Sequence, residues 1–369
     1  MPSSSTVPAG IYCATDYAAL AGAVMDPAIL AHVDAGSGHD RTAAANLSAF
    51  AGDAIVPRVL RPVCDGDAAC GLGGVTRPHP ILLAPVGSQG LFHPEAERAV
   101  AMGAAAAQSC FIASTMASTT LEDIAAAAGP DRWFQLYFQP GRDATLDLLR
   151  RAEAAGYTAI VATVDTPIQL PSYRALAAGF RATEDAPNLS DYPARLPVAV
   201  GEGRSAILNG YMRGAPGWND LEWLMRESRV PVWVKGVLHK GDAREAVARG
   251  AAGVIVSNHG GRSLDGAPSS LSRLAGIRAS LGASVPVLFD GGIRSGNDIF
   301  TAIALGADAV LVGRLQVYAL AVAGALGVAH MIRLLREELE ACMALAGCAT
   351  LGEIGPDALV RAEHEGAPQ

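Results

Sequence analysis

The sequence predicts an α/β fold: a closed parallel (β/α)8 barrel of the TIM type, with an N-terminal helical extension and a lid-like insertion after the fourth strand. Three observations predict it. From residue 81 onward short apolar runs recur eight times, an Ala-rich segment with helical spacing follows most of them, and each run ends in polar residues or glycine. Regular alternation of strand and helix calls for a parallel sheet, and eight such units close into a barrel. An open doubly wound sheet wants Gly-x-Gly-x-x-Gly after its first strand, and none occurs there.

The elements follow in order. Residues 1–75 precede the first barrel strand and read as helices plus an irregular or hairpin segment covering the barrel's bottom or rim. The barrel proper is assigned to residues 76–350. Its strands are expected at Ile81-Leu-Leu-Ala-Pro85, Phe111-Ile-Ala-Ser114, Trp133-Phe-Gln-Leu-Tyr137, Ala159 to Asp165, Val232-Trp-Val-Lys235, Gly253 to Ser257, Pro286 to Asp290 and Ala309 to Gly313. Such continuous apolar runs suit parallel strands covered on both faces. Glu95 to Ser109, Leu121 to Ala128, Ala144 to Ala155, Asp242 to Arg249, Leu271 to Leu281 and Ser295 to Leu305 carry helical apolar spacing. Residues 167–217, rich in Gly and Pro, interrupt the repeat between strands four and five, and an insertion at that face is a candidate lid. Ala321 to Leu345 reads as helix, and residues 351–369 as a C-terminal tail whose last few positions look disordered.

Composition narrows the class. Hydrophobic residues make up 50% and aromatics 5%, so the core is built from Ala, Val, Leu and Ile. Charged residues are 17% and mean hydropathy is +0.26, which hints at subunit contacts as well as at an Ala-rich bias. A net charge of −8 argues against a nucleic-acid surface, which needs a basic face. No run of about 18 apolar residues and no basic-then-apolar leader occurs, so a cytoplasmic protein without a membrane partner is expected. The six cysteines are scattered, without Cys-x-x-Cys, and no metal site is expected.

Val254-Ile-Val-Ser-Asn-His-Gly-Gly-Arg-Ser-Leu-Asp-Gly266 carries the most chemistry. A buried strand ends there in a base, a cation, a carboxylate and glycines, at the edge where parallel α/β enzymes gather their active sites. His259 and Arg262 alone fit equally well a surface loop in which His259 caps a turn and Arg262 pairs with Asp265. The other strand ends break the tie: Pro85-Val-Gly-Ser, Ser114-Thr115, Gln135 with Tyr137, Thr163 with Asp165, Lys235-Gly236, Asp290-Gly-Gly-Ile-Arg294 and Gly313-Arg314. Only one other lysine, Lys240, exists in the chain, so a lysine at a strand end is not background. Asp290 to Gly296 after strand seven, with Gly313-Arg314 opening a helix after strand eight, reads as a phosphate cradle. A phosphorylated cofactor or substrate is implied.

With these residues in view, the chain resembles the FMN-dependent 2-hydroxy acid oxidases and dehydrogenases from about residue 30 to 350. The resemblance rests on Phe92-His-Pro-Glu95, Phe134-Gln-Leu-Tyr137, Thr163-Val-Asp-Thr-Pro167, Val234-Lys-Gly236, Ser257-Asn-His-Gly-Gly-Arg262, Asp290-Gly-Gly-Ile-Arg294 and Leu305-Gly-Ala307 through Gly313-Arg314, all in order. It implies FMN held by Pro85, Val86 and Gly87 beside the reactive edge, with Ser114, Gln135, Thr163 and Lys235 along the ring system and Ser257 and Asp290 in the same set. The phosphate is implied at Gly291, Gly292, Arg294, Gly313 and Arg314. It also implies His259 as the general base oriented by Asp165, Arg262 and Tyr137 as carboxylate and hydroxyl partners, and a homotetramer. Whether electrons leave as hydride or by way of a carbanion stays open, as does oxidase against dehydrogenase. Gly87 is read as leaving space for oxygen or substrate bulk.

Two departures bear on the substrate. Where the family carries a second carboxylate-binding arginine, this chain has Ser172, with Arg174 two residues on as a candidate replacement. Where the family carries a tyrosine near the N-terminus, His32 stands. Loss of one clamp predicts poor activity on glycolate or lactate and better activity on a larger or aromatic acid. The alternatives are a diverged reaction of the same barrel (an amine, a conjugated acid, an oxidative decarboxylation), another FMN barrel such as an isomerase, and a non-catalytic flavin-binding barrel.

Overall fold

The computed structural model describes residues 6–182, 186–193 and 199–362. Three helices lead: α1 (Asp16–Val24), α2 (Pro27–Asp34) and α3 (Arg41–Ser48). Asp26 starts α2 by accepting the amides of Ala28 and Ile29, with Pro27 at the first helical position. Then come β1 (Asp53–Ile55) and the hairpin strands β2 (Cys70–Leu72) and β3 (Val75–Arg77).

The barrel strands are β4 (Ile81–Leu83), β5 (Phe111–Ser114), β6 (Arg132–Leu136), β7 (Ile160–Thr163), β8 (Val232–Val237), β9 (Gly253–Val256), β10 (Val287–Asp290) and β11 (Ala309–Val312). They close in the order β4-β5-β6-β7-β8-β9-β10-β11, every pair parallel. The helices around them are α4 (Ala96–Ala106), α5 (Leu121–Ala127), α6 (Arg142–Ala154), α7 (Tyr173–Ala177), α8 (Trp218–Glu227), α9 (Lys240–Ala248), α10 (Leu271–Leu281), α11 (Gly296–Ala304) and α12 (Arg314–Ala346). The predicted barrel is therefore the observed one, with strand ends shifted by a residue or two.

Strand periodicity divides the core in two. Leu82, Ile112, Trp133, Val161, Trp233, Ile255, Leu288 and Leu311 form the barrel's inner cluster, and their strand neighbours Leu83, Ala113, Phe134, Ala162, Val234, Val256, Phe289 and Val312 belong to the outer one. Trp133 and Trp233 stack with centroids 5.0 Å apart, plugging the interior. Cys70 and Leu72 of the hairpin join the inner cluster, and Arg77 donates to Asp131 just before β6. The hairpin thus covers the barrel's N-terminal end, and its second strand runs on to Arg77, past residue 75.

The C-terminal end went otherwise. The segment read as a tail carries β12 (Leu359–Arg361), which pairs antiparallel with β1; the positions expected to be disordered fall on 363–369, outside the described residues. Helix α12 is long and apolar enough to cross a membrane by length and composition, but 67% of its apolar window is buried within the protein. It packs on α1, α4 and α11, the behaviour of a core helix.

Candidate active site

The same period of two builds the site. Two residues beyond each inward-facing apolar position comes the last inward-facing one, and at six strand ends it is polar: Ser114, Gln135, Thr163, Lys235, Ser257 and Asp290. One further step of two reaches Tyr137, Asp165 and His259. The barrel's top layer is therefore polar because the last inward-facing positions of these strands, and the turns just past them, carry polar side chains.

His259 sits in the turn after β9 with a left-handed backbone, φ +60. A non-glycine residue pays about 1–3 kcal/mol for that conformation unless neighbours hold it. Here the Ser257 hydroxyl accepts the His259 amide at 3.0 Å, and the Asn258 side chain accepts Gly261 at 3.1 Å. Asn46 of α3 exchanges two amide hydrogen bonds with Asn258, at 2.8 and 2.7 Å, tying the turn to the N-terminal extension. The result aims His259 Nδ1 at Asp165 Oδ1, 2.9 Å away. Burial pushes the Asp165 carboxyl up, but His259 and Lys235 outweigh it and hold it below the usual range, so it stays a carboxylate. Gly236, φ +105, makes the approach possible: a Cβ there would lie 2.5 Å from Asp165 Cγ.

Lys235 donates to Asp290 Oδ2 at 2.9 Å and to Ser257 Oγ at 2.8 Å. Burial alone would lower its pKa, yet Asp290 and Asp165 raise it net, so it is a fixed ammonium. Ser257 thus links this cation to the backbone of the base.

Around these groups lies a cavity of about 540 Å3. It is lined by Pro85, Val86, Gly87, Ser114, Thr163 and Lys235, by Gly291, Gly292, Arg294, Gly313 and Arg314 just past β10 and β11, and by Asp290, Tyr137, His259, Arg262 and His32. Gln135, Ser257 and Asp165 stand behind that lining.

Two observations test whether the residues fit FMN. First, Gln135 Nε2, Thr163 Oγ1 and Asp290 Oδ1 are buried without a hydrogen-bond partner among the described residues, although Ser114 fixes the Gln135 amide through its oxygen. Buried polar groups need partners, and a ring edge offering donors and acceptors would supply them. Second, among the described residues none of Arg262, Arg294 and Arg314 has a carboxylate within ion-pair distance. They bond carbonyls instead: Arg262 reaches His32 and Ala35, Arg314 reaches Val33, Ala35 and Gly260, and Arg294 its neighbour Ile293. Burial pulls all three down, and Arg314, also repelled by Arg262 and Arg294, falls to about 10. Clustered cations without a direct carboxylate partner among the described residues call for anions, a phosphate and a carboxylate. The residues fit the group.

Three readings from the sequence need correction or completion. Arg174 does not enter the cavity: it lies on the exposed face of α7, 2.9 Å from Asp40 Oδ2, because α7 turns that side toward the N-terminal loop. Ser172 caps the same helix by accepting the Ala175 amide and brings no charge to the cavity. Gly87 does not open free space, since a Cβ there would lie 2.8 Å from Met116 Cβ and 2.9 Å from Met116 O. Nor does Arg262 pair with Asp265, whose carboxylate accepts the amides of His39 and Thr42. Missed from the sequence were Gln169, Met116 and Phe180, which line the cavity, and the C-terminal carbonyls of α2, which hold two arginines. Phe180 stacks on His32 at 3.9 Å and 10°. It follows α7 in an irregular run where no periodicity reports orientation.

Known proteins agree with this geometry. A family profile described as FMN-dependent dehydrogenase matches residues 21–361. An L-lactate oxidase from Alicycliphilus denitrificans is 59% identical over 361 residues, covering 97% of this chain and 99% of the relative. A 4-hydroxymandelate oxidase from Amycolatopsis orientalis is 42% identical, covering 86% and 89%. Among solved structures, a mandelate oxidase with (S)-2-phenylpropionate superposes with a TM-score of 0.84 at 39% identity, covering 95% of this chain and 98% of that one.

Proposed function

The chain belongs to the FMN-dependent dehydrogenase family, and from that premise we propose how its residues divide the work and which acid it takes. It is an FMN-dependent oxidoreductase that oxidises a 2-hydroxy acid to the 2-oxo acid. FMN supplies the two-electron acceptor. The single observation that carries the assignment of roles is the meeting, at one cavity, of His259, backed by Asp165, with arginines that have no direct carboxylate partner among the described residues.

Arg262 binds the substrate carboxylate, with the Tyr137 hydroxyl beside it. His259 takes a proton from the substrate, and Asp165 stabilises the imidazolium that results. Lys235, held by Asp290 and Ser257, is a fixed cation that would stabilise the negative charge of a reduced flavin bound in the cavity. Arg294 and Arg314, with the amides of Gly291, Gly292 and Gly313, hold the phosphate.

The substrate we propose is L-lactate or a similarly short acid, with oxygen as acceptor and peroxide as product. The full-length relative named L-lactate oxidase supports this over the larger acid expected from Ser172. A mandelate-sized acid is the second reading, favoured by the aromatic wall of Phe180 on His32. Aerobic peroxide formation over a panel of L-lactate, glycolate and (S)-mandelate separates them. A higher kcat/KM for mandelate than for lactate would reverse the order, and flavin that stays oxidised with every acid under anaerobic conditions would sink both.

A further inference from the structure

We propose that His32 is a second carboxylate-binding group that engages by protonation, so that this enzyme binds its acid anions with uptake of a proton from solvent. The inference rests on the reading that Arg262 binds the substrate carboxylate.

Arg262 directs Nη1 to the carbonyls of His32 and Ala35, at 2.7 and 3.0 Å. Among the described residues its Nη2 meets only the His32 ring, at 3.0 Å to Nε2 and 3.3 Å to Nδ1. A ring nitrogen that accepts from a guanidinium must be unprotonated. The imidazole therefore occupies, as an acceptor, the arm of Arg262 that an incoming carboxylate requires. Both groups line the cavity, and Phe180 stacks on the His32 ring.

When a carboxylate takes over Nη2, the ring nitrogen it releases becomes free. One proton from solvent then turns the ring into an imidazolium, whose N–H donates to the second carboxylate oxygen. No covalent bond changes apart from that protonation. The anion also cancels the repulsion that opposes it.

The charged surroundings leave this role to the substrate. Burial, then Arg262 and Arg314, depress the His32 pKa to about 4. Helix α12 brings Arg314 and Tyr318, the latter bound to Asp34 on the imidazole's own helix. Helix α7 brings Arg174, already paired with Asp40, and Asp40 and Tyr137 act on Arg262. Helix α1 brings Asp16, engaged by the amides of Tyr12 and Cys13. Among the described residues no carboxylate lies within ion-pair distance of His32. Ser172 adds no cation, so the imidazolium supplies the second positive contact.

The test uses the FMN-loaded enzyme and propionate, which lacks the hydroxyl that engages the base. Its Kd is read from the flavin spectrum across pH, and proton uptake from calorimetry in buffers of different ionisation enthalpy. Wild type should tighten by up to about ten-fold per unit of falling pH between roughly pH 7 and 5, taking up close to one proton. His259→Gln should keep that slope. His32→Gln should bind more weakly and without it, and His32→Tyr serves if His32→Gln fails to fold. Propionate binding without proton uptake in wild type, or with undiminished uptake in the His32 variant, overturns the proposal and leaves the role of Arg262 standing. Propionate that never perturbs the flavin at any pH sinks both.

Discussion

At the scale of single residues, each group in the site has a partner that states what its removal should do. His259→Gln should retain flavin, because the ring touches Asp165 and not the phosphate end, while kcat falls by about 10²–10⁴-fold, the usual worth of a positioned base. Flavin absorbance and stopped-flow reduction measure both. Arg262→Met should remove the bonds to the His32 and Ala35 carbonyls, of which Ala35 keeps Arg314, and cost about 2–5 kcal/mol in kcat/KM, seen mainly in KM. Lys235→Met strands Asp290 as a buried carboxylate without its cation, so weakened FMN retention and lower stability should appear together in gel filtration and thermal melts. The polar residues themselves were legible, because a lysine or carboxylate has no business at the end of an apolar strand unless it faces something. Their pairing was only partly legible: Lys235 with Asp290 joins β8 to β10 across 55 positions of sequence, and spacing says nothing of that contact.

At the scale of elements, the catalytic turn depends on a helix far away in the chain. Asn46→Ala removes both amide hydrogen bonds to Asn258 and leaves the buried Ser270 amide without the Asn46 oxygen, while Asn258 keeps Gly261 and Pro268, which should cost about 1–3 kcal/mol in melting experiments. Because Asn258 in turn holds Gly261, kcat should fall further than the lost stability alone explains. Gly236→Ala forces a Cβ against Asp165 in a residue with positive φ, so it should displace the orienting carboxylate and lower kcat with little effect on KM for the acid. Barrel strands could be read from composition because burial on both faces demands continuous apolar sequence. Helix α2 could be read as a helix, but not as the floor of an anion site, since backbone carbonyls are the same in every sequence. Arg174 was misassigned for a related reason: proximity along the chain does not tell which side of a short helix faces the cavity.

At the scale of the whole molecule, binding of FMN should be worth more than the contacts of a neutral ligand, because it removes the mutual repulsion of Arg294 and Arg314. Stripping the flavin should lower the melting temperature, and adding it back at about 100 times Kd should restore roughly 2.7 kcal/mol. Inorganic phosphate alone should restore part of this. A tetramer is expected in light scattering, and large exposed apolar residues on the insertion, Leu170, Tyr173, Leu176 and Leu208, supply surface for such contacts.

The sequence by itself determined the barrel and the face that carries the chemistry, and it put His259, Asp165, Arg294 and Arg314 on that face, their proposed roles following from the family resemblance. Period-two burial and strand-end polarity are local properties, readable one segment at a time. Tertiary structure alone decided that Arg174 turns away to Asp40, that Met116 and not open space requires Gly87, and that Phe180 lies flat on His32. It also decided that the end of α2 supplies carbonyls to two arginines that form no ion pair among the described residues. Those outcomes depend on which distant backbone closes over a side chain, and that is settled only when the chain has folded around the cavity.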